Sequence, residues 1–174
     1  NNQLLLALKE VNRLTARSTH TESLIHDACH ILVKTRGYSN VWLALGDEGA
    51  NISQWAKAGI KENCTPFEEL MQSGQWPNCA KKALKAKDFT ITENPSQECG
   101  DCPLRENYRM GGAFTMPLQS HDNVYGVIGV AVDTAMLYDE QEQVLFKQLA
   151  GDLAYAVRNL ENEKRRAYVQ QQLQ

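Results

Sequence analysis

A short apolar run at residues 125–132, YGVIGVAV, constrains the fold more than any other part of this sequence. A nearly continuous apolar run of this length is typical of a strand that is covered on both faces. Its glycines, Gly126 and Gly129, indicate places where a helix or another backbone approaches closely. The chain is therefore expected to contain a sheet with a layer packed on each side.

A long helix is predicted after this strand. From Asp139 onward, apolar side chains recur at spacings of three and four residues, and the pattern becomes strongly polar after Glu161. A helix of this length leaves the domain instead of covering it. Because the chain starts without Met and stops inside this helical pattern, we expect it to be a segment of a longer protein.

Two helices and a hairpin are predicted before these last elements. Residues 2–18 carry an apolar stripe at alternating spacings of four and three, which predicts a helix with a partner surface beyond the domain core. A second helix is expected to start near Thr21 and stop at Gly37. Strands at residues 40–45 and 52–58 then form an antiparallel hairpin around a turn.

The middle of the chain completes the pattern. Residues 59–87 read as short helices, residues 89–92 as a short strand, and residues 113–119 as a strand after a polar loop. Together the elements predict an α+β fold. It consists of a central antiparallel sheet of about five to six strands, helices on its faces, and long N- and C-terminal helices.

Composition excludes two classes of function. A net charge of -3 and a pI of about 5.8 provide no electrostatic surface for nucleic acid. No run of about 18 apolar residues could span a bilayer, so direct membrane insertion of this segment is not expected. Five cysteines, an odd number, fit poorly with a closed set of disulfides. Reduced thiols and a cytoplasmic location are therefore expected.

Four of the cysteines fall in the segment that is expected to wall a pocket: Cys64, Cys79, Cys99 and Cys102. The Cys-x-x-Cys pair can hold zinc if two further thiolates complete a tetrahedral site. The same pair can instead form a redox disulfide, and a buried cysteine can also serve as a small apolar core residue. A metal site, a thiol sensor and simple packing stay open as interpretations.

Aromatic side chains are the other candidates for a pocket. Strand alternation places Trp42 and Ala44 on one face of the hairpin and Val41 and Leu43 on the other, but the register of the second strand is left open. A guanidinium from Arg109 or Arg105 could bind a carboxylate or phosphate. The predicted ligand-binding set is Trp42, Trp55, Trp76, Tyr108, Arg109, Phe114 and Met116.

Several of these segments together resemble a known family. The sequences GYSNVWLAL and FTIT, and the last hairpin and helix starting at MPLQSHDNVYGVIGV, are similar to a GAF domain of bacterial sensor histidine kinases and cyclic-di-GMP signalling proteins. The element CPLRENY, followed by two glycines, resembles a subgroup with a Cys-Pro-Leu loop. The resemblance covers roughly residues 21–163.

The resemblance implies a non-catalytic sensory domain of a two-component or related signalling system. Such a domain binds an unidentified small molecule, or senses redox state, between one sheet face and the crossover helices and loops. A helix then relays the result to a C-terminal output module. On this interpretation residues 1–20 are a linker or dimerisation helix, residues 21–160 the sensor domain and residues 161–174 the start of the signalling helix, and the terminal helices join a homodimer.

The resemblance also raises alternatives to ligand sensing. One is a ligand-free dimerisation and relay module whose pocket is filled by its own aromatic side chains. Another is an enzyme, because free methionine sulfoxide reductases are GAF enzymes with catalytic cysteines. The cysteines of this chain do not follow that arrangement, and no set of nucleophile, base and orienting group is visible. No enzymatic activity is therefore expected, and the ligand and any cofactor stay unidentified.

Overall fold

The structure, a computed structural model, describes residues 2–46, 51–59, 65–98 and 111–173. Its strands are β1 (Asn40–Leu45), β2 (Gln54–Ala58), β3 (Thr90–Thr92), β4 (Gly111–Ser120) and β5 (Asn123–Asp133). Every neighbouring pair is antiparallel, and the strands form one five-stranded sheet in the order β2-β1-β5-β4-β3. The predicted α+β fold with a central antiparallel sheet is confirmed.

Helices cover both faces of this sheet. They are α1 (Asn2–Arg17), α2 (Thr21–Arg36), α3 (Thr65–Gln72), α4 (Asn78–Ala86), α5 (Pro95–Glu98), α6 (Thr134–Leu137) and α7 (Glu140–Leu173). Side chains of α2 and α7 pack on one face, which we call the helix face, and α1 packs against these two helices. Side chains of α3 and α4 pack on the other, which we call the crossover face. None of the described helices is both long and apolar enough to cross a membrane.

Local sequence explains how the ends of these elements form. Gly37 ends α2 in the left-handed region, at φ 70°, and its N–H donates to the Val33 carbonyl. His121 and Asp122 join β4 to β5 in a two-residue turn, with φ angles of 52° and 67°. Positive φ at both turn positions matches the twist of a hairpin, so this turn pairs Ser120 with Asn123 and Gln119 with Val124. A register shift between Leu118 and Gln119 then sets the pairing of the rest of the two strands.

The helix face has a continuous apolar core. Phe114 of β4 lies 5.5 Å from Phe146 of α7, ring centre to ring centre, and Phe89 packs against both rings. Phe114 and Phe146 are almost completely buried. Aromatic rings at such distances add to the free energy of burying their area, so this cluster ties α7 firmly to the sheet.

A buried ion pair lies at the edge of the helix face. The Arg36 guanidinium at the end of α2 donates to the Glu142 carboxylate in the first turn of α7. Their side chains are only 3% and 12% exposed. The Tyr38 hydroxyl lies in the same buried region, and burial raises its pKa to about 12, an effect that Arg36 partly offsets. The pair therefore joins the start of α7 to the segment that leads into β1.

Candidate functional site

The crossover face has an unusual composition, which follows from strand alternation and register. One row of residues crosses four strands and contains small and polar side chains only: Asn40, Ala131, Ala113 and Thr92. The next row contains one large side chain: Trp42, Gly129, Thr115 and Thr90. Because side chains alternate between faces, both rows point towards α3 and α4.

Gly129 is required by the tryptophan beside it. A Cβ at this position would lie 2.5 Å from both Nε1 and Cε2 of Trp42. Real side chains essentially never approach that closely, so any other residue would displace the indole ring from the sheet. The glycine in the apolar β5 run therefore gives Trp42 its place on the crossover face.

Trp42 belongs to an aromatic group that includes residues from β2 and α3. Its ring centre is 6.4 Å from that of Phe67, and Trp55 contacts Phe67 edge to face at 6.3 Å. Trp55 pairs with Ala44, which settles its register and places it on the same face as Trp42. Trp76 and Met71 are buried in the same cluster.

Polar groups without partners are buried on this face. Asn40 has no exposed surface, and neither its amide nitrogen nor its amide oxygen has a hydrogen-bond partner in the described part of the chain. The Thr115 hydroxyl, 1% exposed, also has none within these ranges. Leaving a buried polar group unpaired costs about 1–3 kcal/mol. Because buried polar groups in native proteins are nearly always hydrogen-bonded, Asn40 and Thr115 are candidates for contact with a bound molecule.

The charges around the crossover face lie at its margin. Lys57 of β2 forms an ion pair with Glu68 of α3, with an Nζ to Oε1 distance of 3.3 Å. The strip between Asn40 and Thr115 contains Gly129 and Ala131, which carry no polar side chain. Among the described residues, the centre of this face is thus neutral, with the amide of Asn40 and the hydroxyl of Thr115 on either side of Gly129 and Ala131.

The structure brings together part of the ligand-binding set predicted from sequence. Trp42, Trp55 and Trp76 all lie on the crossover face. Phe114 and Met116 do not, because they pack on the helix face against the cluster that includes Phe146. Grouping these two side chains with the tryptophans was wrong, since β4 turns Ala113 and Thr115 towards the crossover face instead.

The rest of the predicted site residues lie outside the described ranges. These are Tyr108 and Arg109, together with Cys64, Cys99 and Cys102. Cys79 is half-buried on α4 beside the crossover-face cluster. No group of three or more metal-binding side chains occurs among the residues that the structure describes. The metal, redox and packing interpretations of the cysteines stay predictions.

Sequence reasoning missed Asn40 and Thr115. Asn40 is the first residue of β1 and was treated as a strand boundary. A usable signal was present, because Asn40 is two residues from Trp42 and therefore shares its face. In β4, the small and polar residues Ala113 and Thr115 alternate with the bulky Phe114 and Met116, which indicates two faces of different character.

The comparison with protein families gives a clear result. The family model for the GAF domain matches residues 18–158. The match covers most of the chain, including the whole described sheet, so this protein belongs to the GAF domain family. No curated protein matches the sequence.

Similar solved structures share the fold at low sequence identity. A GAF domain from a Coxiella burnetii phosphoenolpyruvate-protein phosphotransferase is 12% identical with a TM-score of 0.73, covering 94% of this chain and 97% of that one. Free methionine-R-sulfoxide reductase from Neisseria meningitidis, in complex with its substrate, is 13% identical with a TM-score of 0.67, covering 90% and 89%. A GAF domain/HD domain protein from Geobacter sulfurreducens is 16% identical with a TM-score of 0.64, covering 87% and 97%. These likenesses show the fold alone.

Proposed function

We propose that this GAF domain is a non-catalytic sensor that binds a small molecule on the crossover face. The observation that supports this best is Asn40, whose buried amide has no hydrogen-bond partner among the described residues. A carboxamide offers both donors and an acceptor, so its natural complement is a ligand group with an adjacent donor and acceptor. The Trp42 ring beside it supplies an apolar wall.

The position of Asn40 suggests how binding could reach an output module. Asn40 is two residues after Tyr38, and the Arg36–Glu142 ion pair joins this segment to the first turn of α7. A ligand that moves the start of β1 would therefore act on the buried pair that holds the start of α7. In this mechanism α7 has two alternative packings, one favoured when a ligand occupies the crossover face and the other when the face is empty. The change of packing would carry the signal along the helix.

The cellular context belongs to the same proposal. Members of the GAF family are often sensory or regulatory, and the resemblance of the last hairpin and helix favours a bacterial sensor histidine kinase or cyclic-di-GMP signalling protein. Within that proposal, the domain is cytoplasmic, belongs to the subgroup with a Cys-Pro-Leu loop, and acts as a homodimer on a C-terminal output module. The similar enzyme from Neisseria meningitidis binds its own substrate, and no catalytic role is proposed for this chain.

The test is a thermal unfolding screen against amino acids, neutral amides, ureas and nucleobases, on the unsubstituted chain and on Asn40→Leu. A ligand at one hundred times its Kd stabilises by about 2.7 kcal/mol, which for a chain of this size raises Tm by roughly 5–10 °C. We expect at least one class to give such a shift, and Asn40→Leu to abolish it.

The same variant separates a ligand-binding residue from a structural one. Leucine has nearly the shape of asparagine, so without ligand Asn40→Leu should leave the free energy of unfolding unchanged or raise it, because an unpaired buried amide is removed. A matched control is Thr35→Val on α2, outside the crossover face, which should retain the ligand shift. A large loss of stability in Asn40→Leu, with no shift for any class on the unsubstituted chain, would contradict the proposal.

A second function is favoured by a different observation. Trp42, Phe67 and Met71 are each 1% exposed, so side chains of this chain already occupy much of the crossover face. A crossover face filled by the chain's own side chains is what a dimerisation and relay module without a ligand would have. That function predicts no ligand shift in the screen and a stable dimer in the absence of any small molecule.

A further inference from the structure

Two histidines lie one turn apart on the exposed side of α2. The His26 side chain is 64% exposed, His30 is exposed as well, and their ring centres are 4.4 Å apart. Side chains four residues apart on a helix are neighbours, and two histidines at this spacing can bind the same metal ion. The helix thus presents two metal-binding side chains side by side.

The hydrogen bonds of both rings determine which nitrogen is free. Nδ1 of His26 lies 3.1 Å from Oδ1 of Asp27, and Nδ1 of His30 lies 2.9 Å from the backbone carbonyl oxygen of His26. A carboxylate and a carbonyl only accept hydrogen bonds, so Nδ1 carries the proton in each neutral ring. The free lone pair of each ring is therefore on Nε2.

The partners of Nδ1 are those that metal-binding histidines use. A histidine that binds a metal through one nitrogen usually donates its other N–H to a carboxylate, a backbone carbonyl or water, which fixes the orientation of the ring. Asp27 supplies the carboxylate for His26, and the His26 carbonyl accepts from His30. Both rings are thus held in the tautomer that a metal requires before any ion binds.

The separation of the two rings is suitable for one ion. An imidazole nitrogen binds Zn²⁺ at about 2.0–2.1 Å, so two nitrogens on one ion lie at most about 4 Å apart. Ring centres 4.4 Å apart can satisfy this distance, because each Nε2 lies off its ring centre. Within the described ranges no third His, Cys, Asp or Glu joins the pair to form a larger group. Water can supply the other ligands, since both side chains are exposed.

The ring nitrogens and the nearby charges favour a divalent transition metal. Imidazole suits Cu²⁺, Ni²⁺ and Zn²⁺, whereas Mg²⁺ and Ca²⁺ take oxygen ligands. Asp27 places a carboxylate beside the pair. One turn away on either side, Glu22 and Lys34 carry opposite charges that largely offset each other. The local charge is thus negative, which favours a cation.

We propose that His26 and His30 form a binding site for one divalent transition metal ion of the Ni²⁺, Cu²⁺ and Zn²⁺ class, with Asp27 as a positioning residue. This inference does not depend on the proposed small molecule, because α2 packs on the helix face and Asn40 lies on the crossover face. It also uses none of the cysteines. A bound ion would join two successive turns of α2, the helix whose last residue, Arg36, pairs with Glu142.

The first test is calorimetric titration of the chain, without an affinity tag, with Ni²⁺. Because each ring supplies one of two ligands, His26→Gln and His30→Gln should each raise the Kd for Ni²⁺ by about tenfold or more. His20→Gln is the matched control, because His20 is an exposed histidine just before α2 whose side chain makes no capping hydrogen bond. It should leave the Kd nearly unchanged. Far-UV circular dichroism checks that each variant is folded.

A second measurement separates this site from metal binding by cysteines. A thiolate bound to Co²⁺ absorbs intensely in the near ultraviolet, whereas an imidazole bound to Co²⁺ does not. The absorption difference between the unsubstituted chain and His26→Gln, each with Co²⁺, should therefore contain no thiolate band. A thiolate band in this difference, or a Kd for Ni²⁺ that is the same in His26→Gln, His30→Gln and the unsubstituted chain, would overturn the proposal.

Three further variants test the role of Asp27. Asp27→Ala removes the acceptor of the His26 Nδ1 proton and should weaken Ni²⁺ binding by up to about tenfold, whereas Asp27→Asn, which keeps an acceptor oxygen, should retain most of the affinity. Glu22→Ala removes an equal charge one turn away and should have a smaller effect. Equal effects of Asp27→Ala and Glu22→Ala would overturn the positioning role. Asn40→Leu should bind Ni²⁺ normally, so failure of the small-molecule screen alone would leave this proposal standing.

Discussion

The helix face and the crossover face of the same sheet bury polar groups in different ways. On the helix face, Arg36 and Glu142 are charged and bind each other across two helices. On the crossover face, Asn40 and Thr115 are neutral and have no hydrogen-bond partner among the described residues. The two faces therefore differ in the kind of polar group that they bury. The helix face buries opposite charges that pair with each other, although Arg36 Nε, Glu142 Oε2 and the Tyr38 hydroxyl also have no hydrogen-bond partner among the described residues. The crossover face buries neutral groups, and neither of the two has a partner in the same ranges.

The largest effect is expected from the apolar core of the helix face. Phe146→Ala removes a buried ring that contacts Phe114 and Phe89, and should lower the free energy of unfolding by about 3–5 kcal/mol in urea. As a control, Gln141→Ala replaces an exposed side chain in the first turn of the same helix and should change the free energy of unfolding by less than about 0.5 kcal/mol. If Phe146→Ala lowered the free energy of unfolding by less than about 1 kcal/mol, the helix face would not be the main source of stability that we infer.

The buried ion pair should show the next largest effect. Glu142→Gln leaves the Arg36 charge buried without its counter-ion, which should cost about 3 kcal/mol. Replacing both partners, as Arg36→Met with Glu142→Leu, should recover most of that loss. The exposed Arg13–Glu10 pair is the matched control, because Glu10→Gln should change stability by less than about 1 kcal/mol. Equal losses of stability in Glu142→Gln and Glu10→Gln would contradict the assignment of Arg36–Glu142 as a buried ion pair.

Alkaline pH probes the same region through Tyr38. Burial raises the pKa of Tyr38 to about 12, from a usual value near 10. Between these values the folded chain keeps a proton that the unfolded chain has lost, so stability should fall as pH rises, by up to about 1.4 kcal/mol per pH unit. Tyr38→Phe should lack this component of the pH dependence. Identical pH profiles in urea unfolding for both proteins would contradict the assignment.

The smallest effect is expected on the crossover face. Thr115→Val removes a buried hydroxyl that has no partner in the described ranges, so stability should be unchanged or rise by up to about 1 kcal/mol. Thr35→Val is the matched control, because that hydroxyl donates to the Ile31 carbonyl at 2.8 Å and its loss should cost about 1 kcal/mol. If the Thr115 change cost more than the Thr35 change, the contrast between the faces would not hold.

Much of this fold could be predicted from sequence because local patterns specify it. The apolar β5 run, the α7 spacing and the Gly37 stop each identify one element through a short-range rule. The strand predicted at residues 40–45 matches Asn40–Leu45. The short helix α6 shows where such rules are weak, since four residues carry too little periodicity to detect.

The candidate site could be predicted only in part, because its composition depends on which strands become neighbours. Trp42 was identified from its residue type, but the polar row beginning at Asn40 forms only when β5 lies between β1 and β4. Phe114 was grouped with the tryptophans although it lies on the other face of the sheet, since alternation gives the two sides of a strand but not the layer that each side meets. A sheet order is a long-range property that a single sequence does not encode in any short segment.

The position of Trp42 on the crossover face, which Gly129 makes possible, also has a spectroscopic consequence. The chain has three tryptophans, and Trp42, Trp55 and Trp76 all belong to the crossover-face cluster. The intrinsic indole emission of this protein therefore originates from one side of its sheet. Binding on that side, or loosening of α3 and α4, should change the tryptophan emission. Rearrangement of α7 alone should leave the emission almost unchanged. The protein thus carries its own fluorescent reporter for the face that we assign to sensing.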